Sequence, residues 1–157
     1  MELPVRKSTR IPGYDYSTNN YYFITICTND KKCIFGKPNN LNMLGEIAKK
    51  CIMRISEKYP QVIVDKYAVM PNHIHMILVL DGKENQRNPS ITQIVGQYKM
   101  SVTKRIHSIG YSEKIWQRSF HDHIIRNQKE YETIWLYIEH NPTKWEEDCF
   151  YKEQPVV

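Results

Sequence analysis

Apolar residues along this chain alternate between two spacings. Tyr21-Tyr22-Phe23-Ile24-Thr25-Ile26-Cys27-Thr28 is a run of aromatic and β-branched residues, the composition of a strand. From Asn42, the positions Leu44, Ile47, Ala48, Cys51, Ile52 and Ile55 recur at helical spacing and form one stripe. Tyr59-Pro60 ends that helix, because proline pushes the residue before it out of the helical region. Val62 to Val69 reads as a second strand. Pro71-Asn72 then makes a tight connection into His73-Ile74-His75-Met76-Ile77-Leu78-Val79-Leu80, so these two strands form an antiparallel pair. Beyond its histidines the third strand is apolar on both faces, as a central, covered strand should be.

Residues 1–20 are polar and read as an arm or irregular lead-in, and Pro38-Asn39-Asn40 and Asp81 to Pro89 read as loops. Ser90 and Gln93 form a capping box for a helix whose stripe is Ile91, Ile94, Val95, Tyr98, Val102 and Ile106. Lys99, Lys104 and Arg105 lie off the stripe. A turn and a fourth strand occupy Ile115 to Ile125. Asn127 and Glu130 cap a last helix with the stripe Tyr131, Ile134, Trp135 and Ile138, running to Asn141 and stopped by Pro142. The order β-α-β-β-α-β-α argues an α+β fold, an antiparallel β-sheet with packed helices.

The chain has 157 residues, enough for one domain with a real core, with an arm over 1–20 and a tail over 146–157. No apolar run is long enough to span a bilayer, and Met1 to Lys7 contains no apolar secretory core, so a cytoplasmic protein with no membrane partner is expected. Its four cysteines show no CxxC pair and read as reduced thiols. A net charge of +5 permits a polyanion partner, and the 11 tyrosines interleaved with Lys and Arg suit unstacked bases as well as they suit a core.

Chemistry is concentrated in two places. His73 and His75, at i and i+2 of a strand, point to the same face, and each neutral imidazole offers one lone pair. That is half of a metal site, or a pair of hydrogen-bonded histidines. In the last helix Tyr137 and Asn141, at i and i+4, lie one above the other at the border of the buried stripe, where the helix can aim both at the histidine strand or leave them at a solvated rim.

Pro71-Asn72-His73-Ile74-His75, then Trp116-Gln117-Arg118, then Tyr137-Ile138-x-x-Asn141-Pro142 resemble the HUH single-tyrosine transposases, and among them the REP-associated branch and its insertion-sequence relatives. The similarity runs from about Arg6 to Trp145. It includes Pro12-Gly13-Tyr14-Asp15-Tyr16, the Tyr22-Phe23-Ile24-Thr25 strand and Gly96-Gln97-Tyr98-Lys99. The resemblance implies a ferredoxin/RRM-like HUH endonuclease fold and a metal-dependent single-stranded DNA endonuclease and strand transferase of a prokaryote. Residue by residue, it implies His73, His75 and Asn141 as ligands of a divalent cation, Mg²⁺ or Mn²⁺. Tyr137 becomes the nucleophile that forms a covalent 5′-phosphotyrosine intermediate. Many insertion-sequence members carry Gln where this chain has Asn141. The partner implied is single-stranded DNA bearing a hairpin, for a monomer or homodimer associated with the nucleoid.

Phenol has a pKa near 10, so the tyrosine needs an activating environment, and a mixed N/O ligand set suits Mn²⁺ and Mg²⁺. Tyr98 is a rival nucleophile that fits core packing better, because it sits inside an apolar stripe. His121, Asp122 and His123 offer a second cluster to which the resemblance assigns no metal. His123 and Arg126 match positions common in the family and are candidates for phosphate contact, with Lys99, Lys104 and Arg105. Arg6, Lys7 and Arg10 are candidates for a flexible DNA-binding arm. Three other readings remain: a non-catalytic ssDNA- or RNA-binding module, a metal-dependent nuclease using water, and a relaxase or replication initiator.

Overall fold

The computed structural model describes residues 10–148 and 150–152. Its centre is an antiparallel sheet of four strands in the order β4-β5-β1-β6, made by β1 (Tyr21–Cys27), β4 (Val62–Met70), β5 (His73–Leu80) and β6 (His121–Ile125). A separate hairpin of β2 (Gly36–Lys37) and β3 (Asn40–Leu41) replaces the expected loop; Gly36 and Asn39 supply the positive φ it needs, at 95° and 58°. β4 and β5 are joined through Pro71-Asn72 as expected, and every residue of β5 is buried.

Both sheet faces are covered, which is why β5 is apolar on both. Tyr22, Ile24, Ile26, Ile74, Met76 and Leu78 face a large core closed by α1 (Met43–Met53), α2 (Ile55–Lys58) and α3 (Ile91–Ser108). The expected single helix from Asn42 is thus two helices meeting at Arg54. Ser90 caps α3 by accepting from the Gln93 N–H, as expected. The opposite face carries a small cluster of Ala68, Ile77, Val79 and Ile125, which receives Ile138 from α4 (Gln128–His140). Ile138 is the one fully buried residue of that helix; Tyr131, Ile134 and Trp135, expected on a buried stripe with it, are only partly covered. A 3-10 segment, Asn141–Glu147, follows α4 without a break.

The described part of the lead-in is anchored by Arg10, Tyr14 and Tyr16, with exposed residues between them. Tyr16 is buried, and Tyr14 and Tyr22 hydrogen-bond through their hydroxyls at 2.9 Å. Among the described residues no helix is long and apolar enough to cross a membrane.

Candidate active site

Antiparallel pairing places Thr25 opposite His75 and Cys27 opposite His73, and the strand's period of two turns both imidazoles toward the α4 side. His73 Nδ1 lies 2.9 Å from Asn72 Oδ1. The Asn72 amide nitrogen donates to the Phe150 and Lys31 carbonyls at 2.7 and 3.1 Å, which fixes its oxygen as an acceptor. His73 Nδ1 therefore donates its proton to Asn72, which turns Nε2 toward the rest of the cluster. That Nε2 is 3.1 Å from His75 Nε2, while His75 Nδ1 is 2.9 Å from the Thr25 hydroxyl. A hydroxyl can donate or accept, so His75 can bridge to His73 with an Nε2 proton or turn a lone pair inward.

Two further groups complete the cluster. Asp148 Oδ2 lies 3.6 Å from His73 Nε2 and accepts from Asn141 Nδ2 at 2.8 Å. Asn141 Oδ1 is buried and has no hydrogen-bond partner among the described residues, an arrangement that ordinarily costs about 1–3 kcal/mol. One nitrogen each from His73 and His75 and a carboxylate oxygen of Asp148 lie within 4.8 Å of one another. Burial, and then the adjacent His73, push the His75 imidazole down to about 3, with Asp148 pulling the other way. Burial pushes the Asp148 carboxyl up, but contacts with His73, the Phe150 N–H and Asn141 outweigh it and bring it down to about 2. Near pH 7 the cluster thus offers an ionised carboxylate, a neutral His75, the inward-facing Nε2 of His73 and an orphaned amide oxygen. This is a donor set that fits a divalent cation.

The histidines are roofed by the chain's own C-terminal segment. The Phe150 ring lies 4.6 Å and the Trp145 ring 6.0 Å from the His73 ring, measured between centroids. On the remaining side the Tyr137 ring stands 5.3 Å from that of His75 and 6.3 Å from Phe23, and the residue is 41% exposed. A cleft of about 330 Å³ runs past it, lined by Leu136, Tyr137, His140, Asn141, Lys144 and Asp148. Tyr137 is one helical turn before Asn141, so α4 and its 3-10 extension bring phenol and amide to the same place.

The other candidates lie elsewhere. Tyr98 is buried and donates to the Ala48 carbonyl at 3.0 Å, a core role. Lys99 Nζ donates to the Gln117 and Ser119 carbonyls at 2.9 Å each, so it holds the loop before β6. Arg10 pairs with Asp122 and lies 3.6 Å above the Phe120 ring, a fixed strut where a flexible arm was expected. Arg6 and Lys7 fall outside the described residues. His123 pairs with Glu130 on the exposed edge strand, and Arg126 is exposed beside it. Among the described residues no metal-ligating cluster includes His121, Asp122 or His123. Lys104 and Arg105 line hollows on the outer side of α3 that also involve Arg54 and Lys58. Asp148 and Phe150 were missed because residues 146–157 read as a tail, and Trp145, at the end of the family resemblance, was given no role; no local pattern distinguishes them.

The sequence profile described as "Transposase IS200 like" matches residues 16–141. The chain belongs to the IS200-like transposase family. It is 37% identical to an uncharacterised protein of Haemophilus influenzae over 167 residues, 93% of each chain. It is 26% identical to a second protein of that organism, named as a candidate REP-associated tyrosine transposase, over 83% of this chain and 74% of that one. The fold matches that of a REP-associated tyrosine transposase solved with a REP hairpin, at a TM-score of 0.63 and 23% identity, covering 92% of this chain and 74% of that one. It also matches a transposase candidate from Deinococcus radiodurans, at a TM-score of 0.54 and 18% identity, covering 83% and 95%. Both likenesses show the antiparallel sheet with packed helices expected from the sequence.

Proposed function

We propose that this transposase is a metal-dependent single-stranded DNA endonuclease and strand transferase, with Tyr137 as nucleophile. The observation that carries the reading is the convergence, beside an accessible phenol, of His73 Nε2, His75 Nε2 and an Asp148 carboxylate oxygen, with Asn141 bonded to that carboxylate through Nδ2 and its buried Oδ1 left without a partner among the described residues. Asp148 joins the ligand set. His73, His75, Asn141 and Asp148 would hold Mg²⁺ or Mn²⁺, which would supply Lewis-acid activation of the scissile phosphate. Thr25 and Asn72 hold the two imidazoles in register, so their geometry is set before DNA arrives. Tyr137 Oη attacks phosphorus, the P–O3′ bond breaks, the phenol proton is lost and the departing 3′ oxygen gains one. The products are a 5′-phosphotyrosine and a free 3′-OH. The covalent bond keeps the phosphodiester energy, so another 3′-OH can reseal the strand.

Hairpin-bearing DNA is the proposed substrate, supported by the hairpin held by the structural relative. Arg54, Lys58, Lys104 and Arg105 make no ion pair among the described residues. They lie on the helical face opposite the histidines and suit the phosphates of a duplex stem.

The test is a denaturing gel with 3′-labelled hairpin oligonucleotides carrying single-stranded flanks, in Mn²⁺ or Mg²⁺. Wild type should yield a labelled, protease-sensitive adduct, absent from Tyr137→Phe and His73→Ala. Cleavage without adduct that survives Tyr137→Phe would mean a water-using nuclease. Binding without cleavage across a library of flanking sequences would mean a non-catalytic module.

A further inference from the structure

α4 is held to the sheet by little apolar surface, yet the proposed nucleophile stands on it. The strand beneath it has an irregularity that compensates. Along β4, Val64 pairs with Leu78 and Lys66 with Ile77, leaving Asp65 as an extra, unopposed residue. Before this bulge Val62 and Val64 face the large core; after it Val69 does, while Lys66 and Ala68 turn toward α4. A regular strand would send Lys66 to the opposite face.

The bulge thereby sets two adjacent polar side chains under one row of α4. Asp65 accepts from the Tyr131 hydroxyl. Lys66 Nζ lies 4.1 Å from the centre of the Trp135 ring and pairs with Glu139. Tyr131, Trp135 and Glu139 are spaced i, i+4, i+8, so two neighbouring residues of β4 grip successive turns of the helix. At 100° per residue this row lies on one flank of α4, Ile138 points down into the cluster, and Tyr137 and Asn141 lie on the other flank.

We infer that Asp65 and Lys66 are positioning residues for Tyr137: the β4 bulge latches one flank of α4 so that the other presents the phenol to the histidines. The inference rests on the proposed role of Tyr137. With the latch released, α4 can roll about Ile138. A roll of about 10° on a helix of roughly 5 Å radius moves its surface by about 1 Å, a displacement that can cost on the order of a hundredfold in rate. Exposed ion pairs add little to stability, so the latch acts on alignment more than on folding.

The test compares wild type, Lys66→Gln, Lys66→Arg and Asp65→Ala, each in two measurements. The first is the ¹⁹F spectrum of protein labelled with 3-fluorotyrosine, the Tyr137 signal assigned by its loss in Tyr137→Phe. The second is the single-turnover rate of adduct formation, set beside DNA affinity, Mn²⁺ affinity and melting temperature. In Lys66→Gln and Asp65→Ala the Tyr137 resonance should shift or broaden. The rate should drop 10- to 100-fold, with both affinities within about twofold of wild type. Lys66→Arg, which keeps a cation for Trp135 and Glu139, should restore both readouts. A Tyr137 resonance unchanged in both Lys66→Gln and Asp65→Ala overturns the latch, as does a rate loss matched by an equal loss of metal affinity. Absence of adduct in wild type would sink the proposed reaction alone, because the spectrum still reports the position of Tyr137.

Discussion

Replacing Ile138 with alanine should undock α4 while leaving the rest of the sheet in place. Ile138 is 1% exposed and is the central apolar contact between α4 and the cluster of Ala68, Ile77, Val79 and Ile125. The substitution removes three carbons, worth about 2.4 kcal/mol at roughly 0.8 kcal/mol per buried carbon, and an unfilled cavity raises the cost within the observed range of about 2–5 kcal/mol. At about 1.4 kcal/mol per factor of ten, the undocked population grows on the order of fiftyfold. The large core on the other face does not contain Ile138, so the loss should be local. Hydrogen exchange read by mass spectrometry tests this: peptides from α4 should exchange faster by about that factor, while peptides from β1 and β5 keep their protection. Leu78→Ala, in the large core, should instead weaken sheet and helices together. If Ile138→Ala accelerates exchange equally in α4 and β5, the separation of the two cores is wrong, and with it the account of how Tyr137 is held.

The metal-free protein should lose stability as pH falls below about 6.5. His75 is held near 3 in the fold, below its ordinary 6.5, so the unfolded chain binds more protons from about pH 6.5 down; Asp148, held near 2 against 3.8, adds to the loss only below about pH 4. The stability from urea unfolding should be level well above pH 6.5 and then fall by up to about 1.4 kcal/mol per pH unit through His75 alone; a flat profile down to pH 4.5 would contradict the His75 assignment. Asp148→Asn, which keeps the shape and removes the charge, should weaken Mn²⁺ binding about 10- to 100-fold by calorimetry, and an unchanged isotherm would remove Asp148 from the ligand set. Arg10→Ala leaves the Asp122 carboxylate, 3% exposed, without its cation, and should cost about 3–5 kcal/mol in urea unfolding while leaving the salt dependence of DNA binding untouched. Lys104→Gln and Arg105→Gln should each lower the slope of log affinity against log salt by about 1; unchanged slopes would place the duplex elsewhere.

Local periodicity was enough to read much of this protein from its sequence. The order of the four sheet strands and the longer helices, the cap at Ser90 and the α3 stripe follow from apolar spacing and hydrogen-bonding side chains within a turn or two. The shared face of His73 and His75 follows from the strand's period, and the stacking of Tyr137 over Asn141 from the helix's. Such features depend on neighbours in the chain, which the sequence displays. The tertiary structure alone decided the rest. Asp148 joins the histidines only because the chain doubles back after Pro142, and Arg10 meets Asp122 across 112 positions. Asp65 inverts the facing of every later residue in β4, a one-residue change that no alternation of polar and apolar positions announces. α4 shows the same limit: its sequence offers a four-residue apolar stripe, yet a cluster of only four sheet residues can bury just Ile138 fully. Periodicity sets which way a side chain points along its own element; what it meets there is set by packing between elements far apart in the chain.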